Sequence, residues 1–246
     1  MICLILAAGY ATRLYPLTEN FPKPLLTVGD KTILDHLTDD LYAGGEISEF
    51  VLISNHKFVE HFEKWAKEKP YKITVVDDGT TSNEERLGAV RDIQFAINQL
   101  KIADDVLVIA GDNILDFSLN LFVQYAKEKQ ASAVMRYFEE DVACLRKCGV
   151  MEIEEDGLII DLVEKPQEPK TNWCCPPFYV YMQDDIAQLG RAIEEGCGVD
   201  APGSLVTWMC HNTRVYAFEM PGKRFDIGDL ESYEKVQKEY RGIEIV

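Results

Sequence analysis

The sequence predicts an α/β fold with a doubly wound, mixed sheet in a single domain. Two observations support this prediction. The first part of the chain alternates short apolar runs with amphipathic segments of about ten residues or more, and the later part has shorter strand-like runs with few helices between them. Strands that are apolar throughout are typical of a parallel sheet covered on both faces by helices. A chain of 246 residues with a hydrophobic fraction of 47% can bury a sizeable core.

The first part of the chain supplies the alternating elements. Apolar runs predict strands over 2–7, 50–54, 72–76, 106–110 and 131–136. Helical spacing of apolar residues predicts helices over 32–43, 58–69, 88–100 and 119–129. Ligands of such sheets gather at the carboxyl ends of the strands, so a site is expected in the loops that follow them.

After about Val142 the pattern changes to shorter strands. These strands are predicted over 149–154, 158–164, 178–182 and 215–219, and helices are predicted over 183–195 and 229–240. No Pro/Ser-rich linker divides the chain, and it contains no internal repeat or low-complexity tract. We therefore expect this part to add antiparallel strands to the same sheet.

Charge and cysteine content limit the function classes. The chain has 25 basic and 42 acidic residues, a net charge of −17, whereas phosphate-backbone binding needs clustered Lys and Arg. A nucleic-acid surface is therefore not expected, and a small anionic ligand would need a local cationic pocket or a metal ion. The seven cysteines include no C-x-x-C pair, which favours reduced thiols and a cytoplasmic location. The first apolar run lacks the features of a signal peptide, and no stretch approaches the length of a membrane span.

The loop after the first strand carries two cations on this acidic chain. Gly9 allows a tight turn whose backbone N–H groups can face an anion. Arg13 can contact phosphate oxygens in a bidentate manner, and Lys23 stands between two prolines that restrict its backbone. The loop matches neither the P-loop nor the G-x-G-x-x-G pattern, which disfavours ATPases and nicotinamide enzymes. It predicts a polyphosphate site, with solvated loop charges as the alternative interpretation.

Four segments of the chain resemble one enzyme family. LAAGYATRLYPLTENFPKPLL, residues 6–26, resembles the N-terminal motif of the sugar-1-phosphate nucleotidyltransferases. AGDN at 110–113, VEKP at 163–166 and RFDIG at 224–228 match further family segments in the same order, and CGV at 148–150 stands where the family often has Y-G-V. The resemblance spans nearly the whole chain, with glucose-1-phosphate thymidylyl- and uridylyltransferases as the most similar subgroup. It implies the Rossmann-like, doubly wound mixed sheet of nucleotide-diphospho-sugar transferases.

The resemblance also implies a reaction. A nucleoside monophosphate would pass from a nucleoside triphosphate to a sugar-1-phosphate, releasing pyrophosphate, with Mg²⁺ as the cofactor; dTTP or UTP with glucose-1-phosphate fits the subgroup. Because the attacking oxygen is already anionic, positioning and charge stabilisation would carry most of the catalysis. The alternatives are a mannose-1-phosphate guanylyltransferase, a cytidylyltransferase acting on another phosphorylated small molecule and, from a different class, a non-catalytic nucleotide-sugar sensor or regulatory subunit.

The resemblance assigns roles to individual residues. Arg13 would hold the β- and γ-phosphates, and Lys23 the α-phosphate as charge builds. The implied nucleotide-binding residues are Leu6, Ala7, Ala8, Gly9, Gly88 and Asp112. The implied sugar-phosphate residues are Gly149, Glu164 and Lys165, and the implied magnesium ligands are Asp112 and Asp226. Without the resemblance, the two aspartates read as turn or cap residues, Gly88 as an ordinary helix start, and the Glu-Lys pair as solvated charges.

These assignments lead to expectations for the whole chain. Residues 1–246 would form one catalytic domain, in which 1–141 mainly bind the nucleotide and 142–246 mainly bind the sugar phosphate. We expect a cytoplasmic monomer or homodimer whose partners are its two substrates, with no nucleic acid and no membrane.

Three features depart from the family pattern. Ala11 stands where the family usually has glycine. Pro176 and Pro177 stand where many relatives have Thr-Gly, and they lack backbone N–H donors for a sugar. Asp78 lies about where relatives often use a glutamine to read the base. The sequence therefore leaves both the base and the sugar open.

Overall fold

The computed structural model describes residues 1–243. Within that range the strands are β1 (Ile2–Leu6), β2 (Thr27–Val28), β3 (Lys31–Thr32), β4 (Glu49–Ser54), β5 (Ile73–Asp77), β6 (Val106–Ala110), β7 (Asn113–Leu115), β8 (Ser132–Phe138), β9 (Gly149–Ile153), β10 (Ile159–Glu164), β11 (Trp173–Cys175), β12 (Phe178–Tyr181), β13 (Val215–Glu219) and β14 (Arg224–Asp226). The α-helices are α1 (Ile33–Gly44), α2 (Val59–Lys67), α3 (Ala89–Leu100), α4 (Asn120–Lys129), α5 (Val142–Leu145), α6 (Gln183–Ile186), α7 (Leu189–Glu194), α8 (Gly203–Met209) and α9 (Leu230–Glu239). None of these helices is long and apolar enough to span a bilayer.

The chain forms two compact units, each assembled from separate stretches. The first unit takes Met1–Arg86, Ala110–Leu121 and the chain from Pro221 onward, and the second takes Leu87–Ile109 and Phe122–Met220. The chain thus enters each unit more than once. The division of function near position 141 remains a prediction, because it concerns ligands and not the packing of the chain.

The first unit contains a parallel sheet in the order β1, β4, β5. The apolar residues of these strands are buried, as expected for a parallel sheet. Leu4 and Leu52, for example, are fully inaccessible to solvent. Helix α1 begins with a capping box in which the side chain of Thr32 accepts from the backbone of Asp35 and Asp35 accepts from the backbone of Thr32. Gly45 ends this helix at φ 75°, a left-handed conformation that glycine adopts readily.

An antiparallel ladder of β7 and β14 also belongs to the first unit. Asp226 pairs with Asn113 in this ladder, and the backbone N–H of Ile227 donates to the carbonyl oxygen of Asp112 at 3.2 Å. The ladder therefore aligns the AGDN segment with the RFDIG segment. A buried apolar cluster contains Ile114 of β7, Ile227 of the RFDIG segment and Leu14 of the N-terminal loop, together with Val28, Ile33 and Val236.

The second unit contains a mixed sheet in the order β10, β9, β11, β8, β12, β6. All these neighbours are antiparallel, so the prediction of antiparallel additions is confirmed for β9 to β12. The prediction was wrong for β13, which runs parallel to β8 with Val215 opposite Ser132. The residues of a strand favour extended structure but do not set its direction, which depends on the connection that precedes it.

Most predicted elements lie within two residues of their observed bounds. The helix expected over 183–195 is instead two short helices, α6 and α7, interrupted at Ala187 and Gln188. Helix α8 was not predicted. It begins directly after Pro202 with a glycine, and its seven residues are too few to establish a clear helical period.

Candidate active site

Three hydrogen bonds, two from backbone N–H groups and one from a side chain, hold the end of β1 and the segment that follows it. The bonds run from Ala7 N–H to the carbonyl oxygen of Ile53 (2.9 Å), from Gly111 N–H to that of Leu6 (3.0 Å), and from Asn55 Nδ2 to that of Ala8 (2.9 Å). Gly9 is exposed, and no heavy atom lies within 4 Å of the position that a Cβ would take. The segment is therefore fixed by its neighbours while its glycine leaves room for a ligand to approach the backbone.

Ala11 adopts a left-handed conformation, with φ 47° and ψ 41°. This conformation suits glycine and is costly for other residues, which explains why glycine is usual at this position. The carbonyl oxygen of Ala11 accepts from Thr18 Oγ1 at 2.8 Å and from the N–H of Leu14 at 3.0 Å. These two bonds hold Ala11 in the left-handed conformation of the turn.

Lys23 joins the N-terminal loop to both halves of the β7–β14 ladder. It lies in a 3₁₀ turn, Lys23–Leu25, between two prolines. Its Nζ donates to Oδ2 of Asp112 at 2.7 Å and to the carbonyl oxygen of Ile227 at 2.7 Å. Only 11% of the Lys23 side chain is exposed, against 35% for Asp112. The loop lysine and the AGDN aspartate, predicted from separate motifs, are thus in direct contact.

The environment of Asp112 favours its charged form. Burial alone would raise the pKa of the carboxyl, but the charge and hydrogen bond of Lys23, together with the charge of Arg224, lower the pKa below its usual range. Its other oxygen, Oδ1, accepts from Asn113 Nδ2 at 2.6 Å. Asp112 is therefore a carboxylate at neutral pH, as a metal ligand must be.

A short chain of polar contacts leads from Asp112 to Asp226. Asn113, which donates to Asp112, accepts through its Oδ1 from Arg224 Nη1 at 2.6 Å. The same Nη1 lies 3.3 Å from Oδ2 of Asp226, whose side chain is 56% exposed. Asp112 and Asp226 thus lie one register position apart on the facing segments, linked by an amide and a guanidinium.

Arg13 reaches the same turn of chain from another direction. Its guanidinium nitrogens lie 3.7 and 3.9 Å from the position that a Cβ of Gly228 would take. The backbone and side chain of Ser232 lower the pKa of Asp229, and the charge of Arg13 lowers it further. Residues 226–229 are therefore the place where Arg13, Lys23, Asp112 and Asp226 come together in the first unit.

The predicted sugar-phosphate residues lie in the second unit, where Gly149 on β9 pairs with Glu164 on β10. Oε1 of Glu164 lies 3.2 Å from the position that a Cβ of Gly149 would take, and 1.8 Å from that of Gly203. Burial raises the pKa of Glu164, partly offset by the charge of Lys165. Two glycines thus make the space that the Glu164 carboxylate occupies.

Lys165 follows β10 directly and adopts a left-handed conformation, with φ 49°. Its backbone N–H donates to the carbonyl oxygen of Cys148 at 2.9 Å, next to the end of the β9–β10 pair. The neighbouring strand β11 pairs Cys175 with Gly149 and ends at Cys175, directly before Pro176. No disulfide involves any of the seven cysteines, all of which fall within residues 1–243.

A side chain at position 88 would collide with a neighbouring backbone segment, which explains why Gly88 is glycine. Its φ is 92°, and a Cβ there would lie 2.5 Å from the carbonyl oxygen of Val199. The next two residues bond to the same segment. Ala89 N–H donates to the backbone carbonyl oxygen of Asp200 at 3.1 Å, and Val90 N–H donates to that of Val199 at 3.0 Å. A nucleotide contact of Gly88 remains a prediction.

The sequence predicted no role for four residues that lie near the candidate site residues of the two units. Asn113 and Arg224 connect the aspartates, and their only signal was membership of the AGDN and RFDIG motifs. Gly203 opens α8, which no pattern predicted. Tyr181 is fully buried, and its hydroxyl has no hydrogen-bond partner within residues 1–243. Burial raises the pKa of Tyr181 well above its usual value, and nearby Cys175, Cys197 and Glu164 raise it further.

Comparison with known proteins identifies the class. The family model described as "Nucleotidyl transferase" matches residues 2–242, and the chain belongs to this family. The glucose-1-phosphate adenylyltransferase of Thermosipho africanus is 24% identical over 252 residues, which cover 95% of this chain and 60% of that protein. The mannose-1-phosphate guanylyltransferase catalytic subunit beta of Drosophila pseudoobscura pseudoobscura is 29% identical over 234 residues, which cover 94% of this chain and 60% of that protein.

A solved structure shows the same fold. UDP-glucose pyrophosphorylase complexed with UDP-glucose matches with a TM-score of 0.82 and 22% sequence identity, over 96% of each chain. The Rossmann-like α/β fold that the sequence predicts is therefore confirmed. The chain spans about three fifths of the length of the two curated relatives.

Proposed function

We propose that the chain transfers a nucleoside monophosphate from a nucleoside triphosphate to a sugar-1-phosphate, forming a nucleoside-diphosphate sugar and releasing pyrophosphate. The observation that carries this proposal is the contact of Lys23 with Asp112 and Ile227, with Arg13 beside the same turn. On a chain of net charge −17, this arrangement presents two cations next to two carboxylates. The names of the relatives, which are sugar-1-phosphate nucleotidyltransferases, also support it.

The chemistry requires little beyond positioning and charge. An oxygen of the sugar phosphate attacks the α-phosphorus in line, the bond to the β-phosphate oxygen breaks, and pyrophosphate takes the electron pair. The exposed Arg13 guanidinium would hold the β- and γ-phosphates through paired N–H groups. The Lys23 ammonium, already directed by two fixed oxygens, would stabilise the charge that develops at the α-phosphate.

The sugar phosphate is assigned to residues of the second unit. Lys165 would neutralise its phosphate, and Glu164 would accept hydrogen bonds from sugar hydroxyls. The half-buried Glu164 suits this role because partial removal from water strengthens each hydrogen bond that its carboxylate makes. At Gly149 only the backbone would line the sugar, so no side chain would occupy the sugar's position.

The residues fit a magnesium ion. Asp112 and Asp226 offer hard carboxylate oxygens, and Asp112 is held in its charged form. Both side chains are partly exposed, at 35% and 56%, so phosphate oxygens and water could complete the coordination of the ion. When bound, Mg²⁺ would neutralise phosphate charge and polarise the phosphorus–oxygen bonds.

The choice of substrates remains open. The sequence motifs favour dTTP or UTP with glucose-1-phosphate, whereas the names of the two relatives point to ATP with glucose-1-phosphate and to GTP with mannose-1-phosphate. The absence of disulfides among the cysteines within residues 1–243 is consistent with a reducing cytoplasm.

The decisive experiment is a grid of nucleoside triphosphates against sugar-1-phosphates, with Mg²⁺, scored by pyrophosphate release. We expect one combination to release pyrophosphate well above the rest. Nucleotide-sugar binding without pyrophosphate from any combination would instead indicate a non-catalytic sensor.

A further inference from the structure

Three side chains with different donor atoms meet in the second unit, and the proposed function uses none of them. They are Asp161 on β10 and, directly after α8, Cys210 and His211. One ligand atom from each residue lies within 4.8 Å of the other two. Nε2 of His211 lies 3.3 Å from Oδ1 of Asp161.

Local hydrogen bonds present the cysteine and the histidine side by side. The N–H of Cys210 donates to the carbonyl oxygen of Val206 at 2.9 Å, and the N–H of His211 donates to that of Trp208 at 3.3 Å. The Cys210 thiol donates to the carbonyl oxygen of Thr207 at 3.3 Å. The end of α8 therefore places both side chains beside the strand that carries Asp161.

The two oxygens of Asp161 have separate neighbours. Oδ1 faces His211, whereas Oδ2 lies 3.9 Å from Nζ of Lys170. Lys170 bonds more closely to Oε1 of Glu152, at 2.7 Å, and its side chain is 67% exposed. Lys170 therefore leaves Oδ1 of Asp161 accessible to a metal ion. Because the lysine side chain is exposed, it can move without breaking a buried contact.

The spacing fits a tetrahedral metal centre. Nitrogen and oxygen ligands bound about 2.0–2.2 Å from Zn²⁺ lie about 3.3 Å apart at a tetrahedral angle. The observed separation of Nε2 and Oδ1 has this value. The Cys210 sulfur lies within 4.8 Å of one ligand atom of each of the other two residues, so a side-chain rotation can bring it to the ion.

We propose that Asp161, Cys210 and His211 bind Zn²⁺, or another divalent transition ion of similar softness, with a fourth position left to water. Thiolate and imidazole ligands select such ions, whereas magnesium prefers oxygen. The site is therefore chemically distinct from the Asp112 and Asp226 carboxylates. Bound metal would fasten the end of α8 to β10.

The test is a titration of the reduced 246-residue chain with Co²⁺, read by its absorption spectrum. We expect one equivalent to bind with a thiolate-to-cobalt charge-transfer band and the visible bands of tetrahedral cobalt, and Zn²⁺ to displace it. Cys210→Ser should abolish the charge-transfer band, and His211→Ala should weaken cobalt binding by at least about tenfold. Cys144→Ser should retain the full spectrum, as should His56→Ala, which removes a histidine that pairs with a carboxylate, Asp77, at 2.6 Å.

Any of three results would overturn the proposal. The first is the absence of a thiolate band in the wild-type chain, and the second is a band that persists unchanged in Cys210→Ser. Since His211 is 55% exposed, His211→Ala is expected to fold even if the cysteine variant does not, and undiminished cobalt affinity in that variant would also refute the site.

Discussion

The Nζ atom of Lys23 lies 2.7 Å from Oδ2 of Asp112 and 2.7 Å from the carbonyl oxygen of Ile227. Three segments that are far apart in the chain meet at this one ammonium group. Because the Lys23 side chain is only 11% exposed, its contact with the carboxylate is screened less by water than a surface ion pair. The same ammonium that organises the cluster is the cation that we assign to the α-phosphate.

Replacing Lys23 should remove most of the activity. We expect Lys23→Met to lower kcat by about 10²–10³-fold, because a directed positive charge at the developing phosphate charge is lost. Lys31→Met is a matched control, since Lys31 pairs with Asp39 at 2.7 Å but is 44% exposed and has no assigned role. Turnover should be measured by pyrophosphate release, with the fold checked by circular dichroism. A folded Lys23→Met variant with near-wild-type kcat would remove Lys23 from the mechanism.

Removing the metal, or one of its proposed ligands, should stop the reaction. EDTA should abolish product formation and added Mg²⁺ should restore it. Asp226→Asn should raise the Mg²⁺ concentration needed for half-maximal rate and lower kcat by orders of magnitude, because an amide is a weaker ligand than a carboxylate. Glu231→Gln, an exposed change in the first turn of α9, should leave both values unchanged. Full activity in EDTA would contradict the assignment of these aspartates.

A methyl group at Gly203 should displace Glu164. The Cβ of Gly203→Ala would lie 1.8 Å from Oε1 of Glu164, so the carboxylate must move, and we expect kcat/KM for the sugar phosphate to fall about 10–100-fold. In Gly190→Ala the nearest atom would be 3.9 Å away, and this helical substitution should raise stability by about 0.5–1 kcal/mol without changing kcat/KM. Equal values of kcat/KM in the two variants would show that use of the sugar phosphate does not depend on the position of the Glu164 carboxylate.

Asp35 should contribute stability that is lost in acid. Burial would raise the pKa of its carboxyl, but hydrogen bonds from Lys69, Trp65 and Thr32 lower the pKa below the usual value. A lowered pKa in the folded state stabilises the protein above the unfolded-state value of about 3.9, and this contribution disappears as the pH falls through the folded-state pKa.

The corresponding measurement compares urea unfolding of Asp35→Asn with that of the wild type. At pH 7 we expect the variant to be less stable by about 1–3 kcal/mol, because Lys69 loses its buried counter-charge. The difference should narrow below about pH 4. Glu234→Gln, which alters an exposed helical pair with Lys238, should change stability by less than about 0.5 kcal/mol at either pH. A difference for Asp35→Asn that does not vary with pH would contradict the ionic contribution.

The sequence predicted those parts of the fold in which local pattern and burial agree. The strand over 106–110 was predicted with its observed bounds because its apolar residues form one buried run. The β7–β14 ladder was not predictable in this way, since strands of three residues carry no usable period. The direction of β13 depends on its connection and not on its own residues.

The sequence motifs indicated which residues belong to the candidate site, but they did not predict the contacts between those residues. Resemblance supplied Arg13, Lys23, Asp112 and Asp226, which the first unit brings to one turn. Asn113 and Arg224 were missed because their role depends on the register of β7 against β14. Contacts of this kind between distant segments are set by tertiary packing, and the local residue pattern does not contain them.

The most direct test follows phosphorus by ³¹P NMR in a mixture of the chain, Mg²⁺ and the substrate pair selected by the grid. The account predicts that the α-phosphorus signal of the triphosphate is replaced by two coupled signals of a diphosphate ester, with one equivalent of pyrophosphate, and that Lys23→Met suppresses this conversion. Orthophosphate or nucleoside monophosphate as the product, or unchanged spectra for every pair, would contradict the proposed transfer.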